Sequence, residues 1–196
     1  MKSEKSLEEF NFKFINNFDV SQIKNFVLQF KKEWDLDTGR QTKSIHHSRT
    51  KSYHILWYPL MWVPGQEYLP SFLCESEKLF NMVEPLINKM ADHYDGKPGR
   101  VTLVNLPSHK LVTPHKDRSI YSKVVNRVHI PILTNDDVYF SVDDETLNMK
   151  EGQAWEVNNA KLHGAYNLGD SDRVHLMIDI INNDLIGTDK YSGGMG

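Results

Sequence analysis

The second half of the chain constrains the fold most, because short strand-like runs follow one another there with only turn residues between them. Arg100–Asn105, Lys110–His115, Val124–Ile132, Val138–Val142, Gln153–Val157 and Arg173–Ile181 have strand length and strand composition. Asn135-Asp136-Asp137, Asp143-Asp144 and Asn167-Leu168-Gly169-Asp170 separate them with residues that favour turns. Parallel strands need long, usually helical crossovers, and these gaps are too short to hold one. The pattern predicts an antiparallel sandwich or barrel, not a βαβ fold.

The first half supplies the buttress. Phe10, Phe12 and Phe14 alternate with polar residues, which predicts a strand. Asp19 or Ser21 is placed to cap a helix whose Ile23, Phe26, Val27, Phe30 and Trp34 share one face. A second helix is predicted over Ser76–Tyr94, with Leu79, Met82, Val83, Leu86, Ile87 and Met90 as its stripe and a kink or break at Pro85. Both stripes read as core faces. The expected fold class is mainly β with flanking helices: a jelly roll buttressed by N-terminal helices. It forms a single domain over 1–196, with supporting elements in 1–98, the core in 99–181 and a loosely ordered Gly-rich tail from 186.

Bulk composition excludes several classes. A formal net charge of -3 makes no electrostatic case for nucleic acid or an anionic membrane surface. The basic cluster Arg40–Lys51 reads as a solvated face. Cys74 is the only cysteine, so no disulfide closes within the chain and a cytoplasmic location is expected. The N-terminus lacks an apolar signal core, and the longest apolar stretch, Ile55–Val63, is interrupted by Pro59 and too short to span a bilayer.

The chemistry begins at Pro114-His115-Lys116-Asp117. On a strand, residues i and i+2 face the same way, so His115 and Asp117 would offer an imidazole and a carboxylate to one point. That is two-thirds of the 2-His-1-carboxylate site of Fe(II) oxygenases, although with nine histidines in the chain one His-x-Asp is close to a chance event. His163, 46 residues beyond Asp117, suits a third ligand returning from a distant strand. Arg173 opens a strand on which it shares a face with His175, Met177 and Asp179, opposite Val174, Leu176, Ile178 and Ile180. A guanidinium aimed inward needs an anion, supplied by a dicarboxylate co-substrate or by a salt bridge to Asp170, Asp172 or Asp179. Arg127 and His129 repeat the pattern against Val128, Ile130 and Ile132, as a binding wall or as a structural ion pair and a core histidine.

The ordered set His115-x-Asp117, Arg127-x-His129, Trp155, His163 and Arg173 resembles the aspartyl/asparaginyl β-hydroxylase family over about residues 99 to 181. With its intact His-x-Asp it is more similar to the bacterial free-proline hydroxylases than to the membrane-anchored animal enzymes, which lack the carboxylate. The resemblance implies a cupin-like double-stranded β-helix, Fe(II) on His115, Asp117 and His163, and 2-oxoglutarate held by Arg173 and His129. It implies O2-dependent hydroxylation of a C–H bond, with 2-oxoglutarate decarboxylated to succinate. The substrate would be a proline-like free amino acid, or an Asp, Asn or Pro residue in a peptide. Arg127 and Trp155 are the candidates for substrate contact, Arg127 with a salt bridge and Trp155 with core packing as the alternative. Asn158, Asn159 and Asn167 read as turn residues, and His46, His47, His54, His93 and His109 as surface histidines. Two other functions fit the pattern: a cupin-type metalloenzyme without 2-oxoglutarate, and a jelly-roll binding module without catalysis.

Overall fold

In a computed structural model the described residues are 9–36, 38–39, 42, 45–57, 71–72 and 76–186. The N-terminal eight residues, most of the Ile55–Val63 stretch, Cys74 and the tail beyond 186 lie outside them. Strands β1 (Phe12–Asn17), β2 (Lys51–Trp57), β3 (Ser71–Phe72), β4 (Gly96–Leu106), β5 (Lys110–His115), β6 (Val125–Leu133), β7 (Val138–Val142), β8 (Glu145–Leu147), β9 (Gln153–Val157), β10 (His163–Asn167) and β11 (Arg173–Asn182) form two antiparallel sheets. The larger has the order β1-β9-β6-β11-β4-β2-β3, and the smaller β5-β10-β7-β8. The non-sequential neighbours are those of a double-stranded β-helix, as the alternating runs predict.

Strand alternation decides which side of the large sheet each residue serves. Val101, Leu103, Val128, Ile130, Ile132, Val174, Leu176, Ile178 and Ile180 are all buried in one core cluster, on the outer face of that sheet. The cover comes from α1 (Ser21–Val27) and α2 (Glu77–His93), through Ile23, Val27, Leu79, Val83, Ile87 and Met90. Burying these apolar side chains, at roughly 1.5–3 kcal/mol each, is the main force holding helices to sheet. A second cluster lies between the sheets, with Val112, Phe140, Val142 and Ala165 from the small sheet against Leu106 and Val157 from the large one.

Two helix expectations need correction. The first helix stops at Val27, seven residues short of Trp34, where the stripe ends. Gln29 and Phe30 donate to carbonyls three residues back, which tightens and closes the helix. Trp34 stays buried through a 3-10 turn at Lys32–Asp35 and meets Phe30 at 5.3 Å between ring centroids. The second helix runs unbroken through Pro85. Pro85 and Asn81 are both exposed, so the carbonyl left without its helical donor is on the solvent side, where water satisfies it. Ser76 caps this helix, accepting from the Leu79 N–H at 3.2 Å.

Candidate metal centre and active site

β5 ends at His115, β10 begins at His163, and the antiparallel register sets these two histidines directly opposite each other. Their ring centroids are 4.5 Å apart. Asp117 is two residues beyond the end of β5, not on the strand with His115 as the i, i+2 argument expected. Its backbone N–H donates instead to the carbonyl of Asn159 at 3.1 Å, which turns the chain and brings the carboxylate in from the side. One donor atom from each of His115, Asp117 and His163 lies within 4.8 Å of the other two.

The hydrogen bonds behind the donors fix their chemistry. His115 Nδ1 lies 2.8 Å from the Thr113 carbonyl, and His163 Nδ1 lies 3.0 Å from the Lys161 carbonyl. A carbonyl only accepts, so both Nδ1 atoms carry the proton and both Nε2 atoms keep a lone pair. Burial pushes the His163 pKa down to about 4 against the pull of Asp117, so the ring is neutral at pH 7. Burial works against the charge of Asp117, but the Arg127 guanidinium, then His163 and the Asn159 amide, hold its carboxyl well below the usual range. Arg127 Nη1 and Asn159 Nδ2 both donate to Asp117 Oδ2, leaving Oδ1 on the side of His115, 3.6 Å from its Nε2. Two neutral imidazoles and one carboxylate on one face fit Fe(II) with coordination positions left open.

The donors open on a cavity whose walls also carry Arg127, His129, Phe140, Arg173 and Met177. Arg173, only 2% exposed, begins β11, and its Nη2 donates to His175 Nδ1 at 2.7 Å. The guanidinium carbon sits 5.8 Å above the Phe140 ring, which in turn is parallel to His163. Of the three carboxylates that offered Arg173 a salt bridge, Asp179 grips Arg127, Asp172 accepts from Asn105 and Ser108, and Asp170 from His109. His129 lies across β6 and β11 from Met177, with Phe140 and His175 rings 5.1 and 5.7 Å away.

His175 is the residue that sequence reasoning left out of the site. Burial, then the charge of Arg173, holds its pKa well below 6.5, so it stays neutral and accepts from Arg173. The signal was present: His175 is two residues from Arg173 on the same strand face. His46, His47 and His54 also differ from the surface reading. His46 stacks on His115 at 4.8 Å and 11°, His47 meets the same ring edge-on at 5.0 Å and lines the cavity, and His54 is buried on Thr102. Asn158, Asn159 and Asn167 are buried amides that bond to Phe10, Ser122 and Leu106 carbonyls respectively, more than turn residues.

For the two substrate-contact candidates the structure shows the alternative contacts, an ion pair for Arg127 and core packing for Trp155. The carboxylates that Arg127 binds are the protein's own: Nε and Nη2 donate to Asp179 at 2.7 and 3.0 Å, and Nη1 to Asp117. Trp155 packs against the inter-sheet cluster and edge-on to Phe14, and it is not among the residues lining the cavity.

A double-stranded β-helix with a facial two-histidine, one-carboxylate donor set defines the class of this molecule. The chain belongs to the aspartyl/asparaginyl beta-hydroxylase family, which it matches over residues 21–183. It is similar to the L-proline cis-4-hydroxylase of Rhizobium meliloti (strain 1021), 27% identical over 97 residues, which is 48% of this chain and 35% of that protein. Among solved structures, AviO1 from Streptomyces viridochromogenes Tue57 superposes with a TM-score of 0.58 at 14% identity, covering 89% of this chain and 91% of that one. The viral collagen prolyl hydroxylase of Paramecium bursaria Chlorella virus-1, in complex with 2-oxoglutarate, gives 0.54 at 8% identity, covering 89% and 97%. These two likenesses show the fold. Among the described residues no helix is long and apolar enough to cross a membrane.

Proposed function

We propose that the protein is an Fe(II)- and 2-oxoglutarate-dependent dioxygenase that hydroxylates a C–H bond of a proline-like free amino acid, or of an Asp, Asn or Pro residue in a peptide. The observation that carries this reading is the donor set: both imidazoles are tautomerically fixed with the lone pair on Nε2, and one carboxylate is oriented through its other oxygen. Fe(II), when bound, supplies the redox chemistry that couples O2 and 2-oxoglutarate to substrate oxidation, giving succinate, carbon dioxide and the alcohol. His115, Asp117 and His163 would hold it. Arg173 offers a rigid fork for the far carboxylate of 2-oxoglutarate, kept in place by His175, with His129 beside it. The apolar surfaces of Val112, Phe140 and Ala165 exclude water from the same space. The single cysteine agrees with a cytoplasmic enzyme.

The test is anaerobic Fe(II) loading followed by O2 and 2-oxoglutarate, with succinate measured across a panel of amino acids and peptides. Succinate release, with a mass gain of one oxygen on one member of the panel, is the expected result. No metal-dependent succinate under any condition sinks the proposal. An Arg173→Gln variant with unchanged affinity for 2-oxoglutarate would favour the cupin-type enzyme that does not use it.

A further inference from the structure

Arg100 is a third arginine near the site, beside Arg127 and Arg173, and the roles above leave it unexplained. It lies on β4, four residues from Val104, which lines the cavity, and beside the irregularity where β4 passes Asp179 of β11. Its guanidinium carbon is 4.0 Å from the Tyr121 ring centre and 4.8 Å from that of Trp57, so two aromatic rings hold it by their faces. Tyr121 is fixed in turn, because its hydroxyl accepts from the Arg100 backbone N–H at 2.8 Å and occupies the space a side chain at Gly99 would need. The Nε and Nη2 atoms of Arg100 are buried and, among the described residues, have no hydrogen-bond acceptor.

Those two nitrogens are the edge of a guanidinium whose hydrogens run parallel, and Arg127 uses the same edge to grip Asp179. Arg100 has the same fork, flanked by two rings and without an acceptor among the described residues. The neighbouring carboxylates do not fill it: Asp179 spends both oxygens on Arg127, and Asp117 is committed to Arg127, Asn159 and the metal position. Leaving a buried guanidinium without an anion costs stability, which a structural role would not explain. Charge gives the same answer. Arg127 and Arg173 in the cavity wall, with Arg100 close behind it on β4, stand against Asp117 and Asp179. A divalent metal and a dianionic co-substrate cancel each other, leaving one positive charge over.

We propose that Arg100 is the subsite for a carboxylate on the hydroxylated substrate, gripped side-on through Nε and Nη2 between Trp57 and Tyr121. This rests on the dioxygenase reading and narrows its substrate class to molecules that present a free carboxylate. The α-carboxylate of a free amino acid and the side-chain carboxylate of an aspartyl residue share that chemistry; an internal asparagine or proline residue does not have it.

The experiment compares acids with their amides. Wild type and Arg100→Gln, loaded with Fe(II) and 2-oxoglutarate, are assayed for stimulated succinate release. The probes are L-proline and the other free L-amino acids, their carboxamides, and blocked aspartyl and asparaginyl dipeptides. The expected result is that wild type prefers one acid over its amide by at least ten-fold in kcat/KM and that the preference collapses toward unity in Arg100→Gln. Whether the preferred acid is a free amino acid or a blocked aspartyl peptide identifies the source of the carboxylate. A wild type indifferent to amidation, or a variant that keeps the preference, overturns the proposal. A wild type that makes no succinate with any probe fails the dioxygenase reading itself, and the subsite falls with it. A second readout needs no turnover: under argon, the preferred acid should raise the melting temperature of the loaded wild type but not that of Arg100→Gln. Ligand-free Arg100→Met should melt no lower than wild type, whereas a fall of several degrees with the acid preference intact would make Arg100 structural.

Discussion

The two sheets that face each other across the cavity are built from opposite materials. The small sheet presents Val112, Phe140, Val142 and Ala165, an apolar wall, with His115 and His163 at one set of strand ends and the Asn167 amide at the other end of β10. The large sheet presents Arg127, His129, Arg173, His175 and Asp179, a polar wall whose reverse side is mainly apolar. The small sheet thus supplies ligands in a dry setting, while the large one supplies the fixed charges that orient a ligand and would hold anions. Such charges are tolerable inside because the helices make the other face of the same strands the main core. Stability comes from one face and function is carried on the other.

The largest test removes a ligand. Asp117→Ala or His163→Ala leaves two protein donors, and Fe(II)-dependent succinate formation should fall to background; retained activity would break the assignment of ligands to the small-sheet side.

Next is the clamp between the walls. Arg127→Met strips Asp117 and Asp179 of their partner, so it should weaken Fe(II) or Mn(II) binding by about 10- to 100-fold, the usual cost of losing a group behind a metal ligand. It should also destabilise the fold by about 3–5 kcal/mol, because Asp179 is left buried and unpaired, as denaturant unfolding would show. Unchanged metal affinity would mean that the large sheet does not orient the ligand carboxylate.

Acid comes third. His163 titrates at about 4 when folded against an ordinary 6.5, and His175 is displaced in the same direction. The unfolded chain therefore takes up protons below pH 6.5 that the folded chain refuses, so metal-free stability should fall as pH drops from 6.5 toward 4. The loss from His163 should be of order 1–3 kcal/mol, and His175 adds to it in the same direction. Flat stability over that window would show that the rings are not held neutral.

The smallest effect is expected on the apolar wall. Phe140→Leu keeps the surface dry but removes the ring between His163 and Arg173, and should cost about 1 kcal/mol of stability while raising KM for 2-oxoglutarate modestly. A large loss of metal binding instead would give that wall a ligand-orienting role.

Alternation made the large sheet legible. Val174, Leu176, Ile178 and Ile180 could be separated from Arg173, His175, Met177 and Asp179 by counting in twos, and the structure keeps that division. Lys110–His115 and Val138–Val142 keep the predicted bounds, because turn residues mark both ends. β2, β8 and β10 carry weaker signals. β10 is His-Gly-Ala-Tyr-Asn, whose small residues suit a tight fit between neighbours: a side chain at Gly164 would meet the Val112 carbonyl at 3.0 Å. The donors of the site were legible as residue types, but not what stands behind them. Asn159 reaches Asp117 from 42 positions away, and Asp179 reaches Arg127 from 52. Such pairings are set by sheet register, and no local pattern reports them.

The bonds that lock the two ligand imidazoles end on main-chain carbonyls, those of Thr113 and Lys161. Every amino acid carries that oxygen. Mutation at either position therefore leaves the acceptor in place, and the tautomers that make metal binding possible are inherited with the path of the chain. Over evolutionary drift, the histidines would appear as fixed letters while the groups that set their protonation stay invisible in any comparison of sequences. A designer moving this centre to another scaffold would have to copy two stretches of backbone before choosing the side chains at 113 and 161.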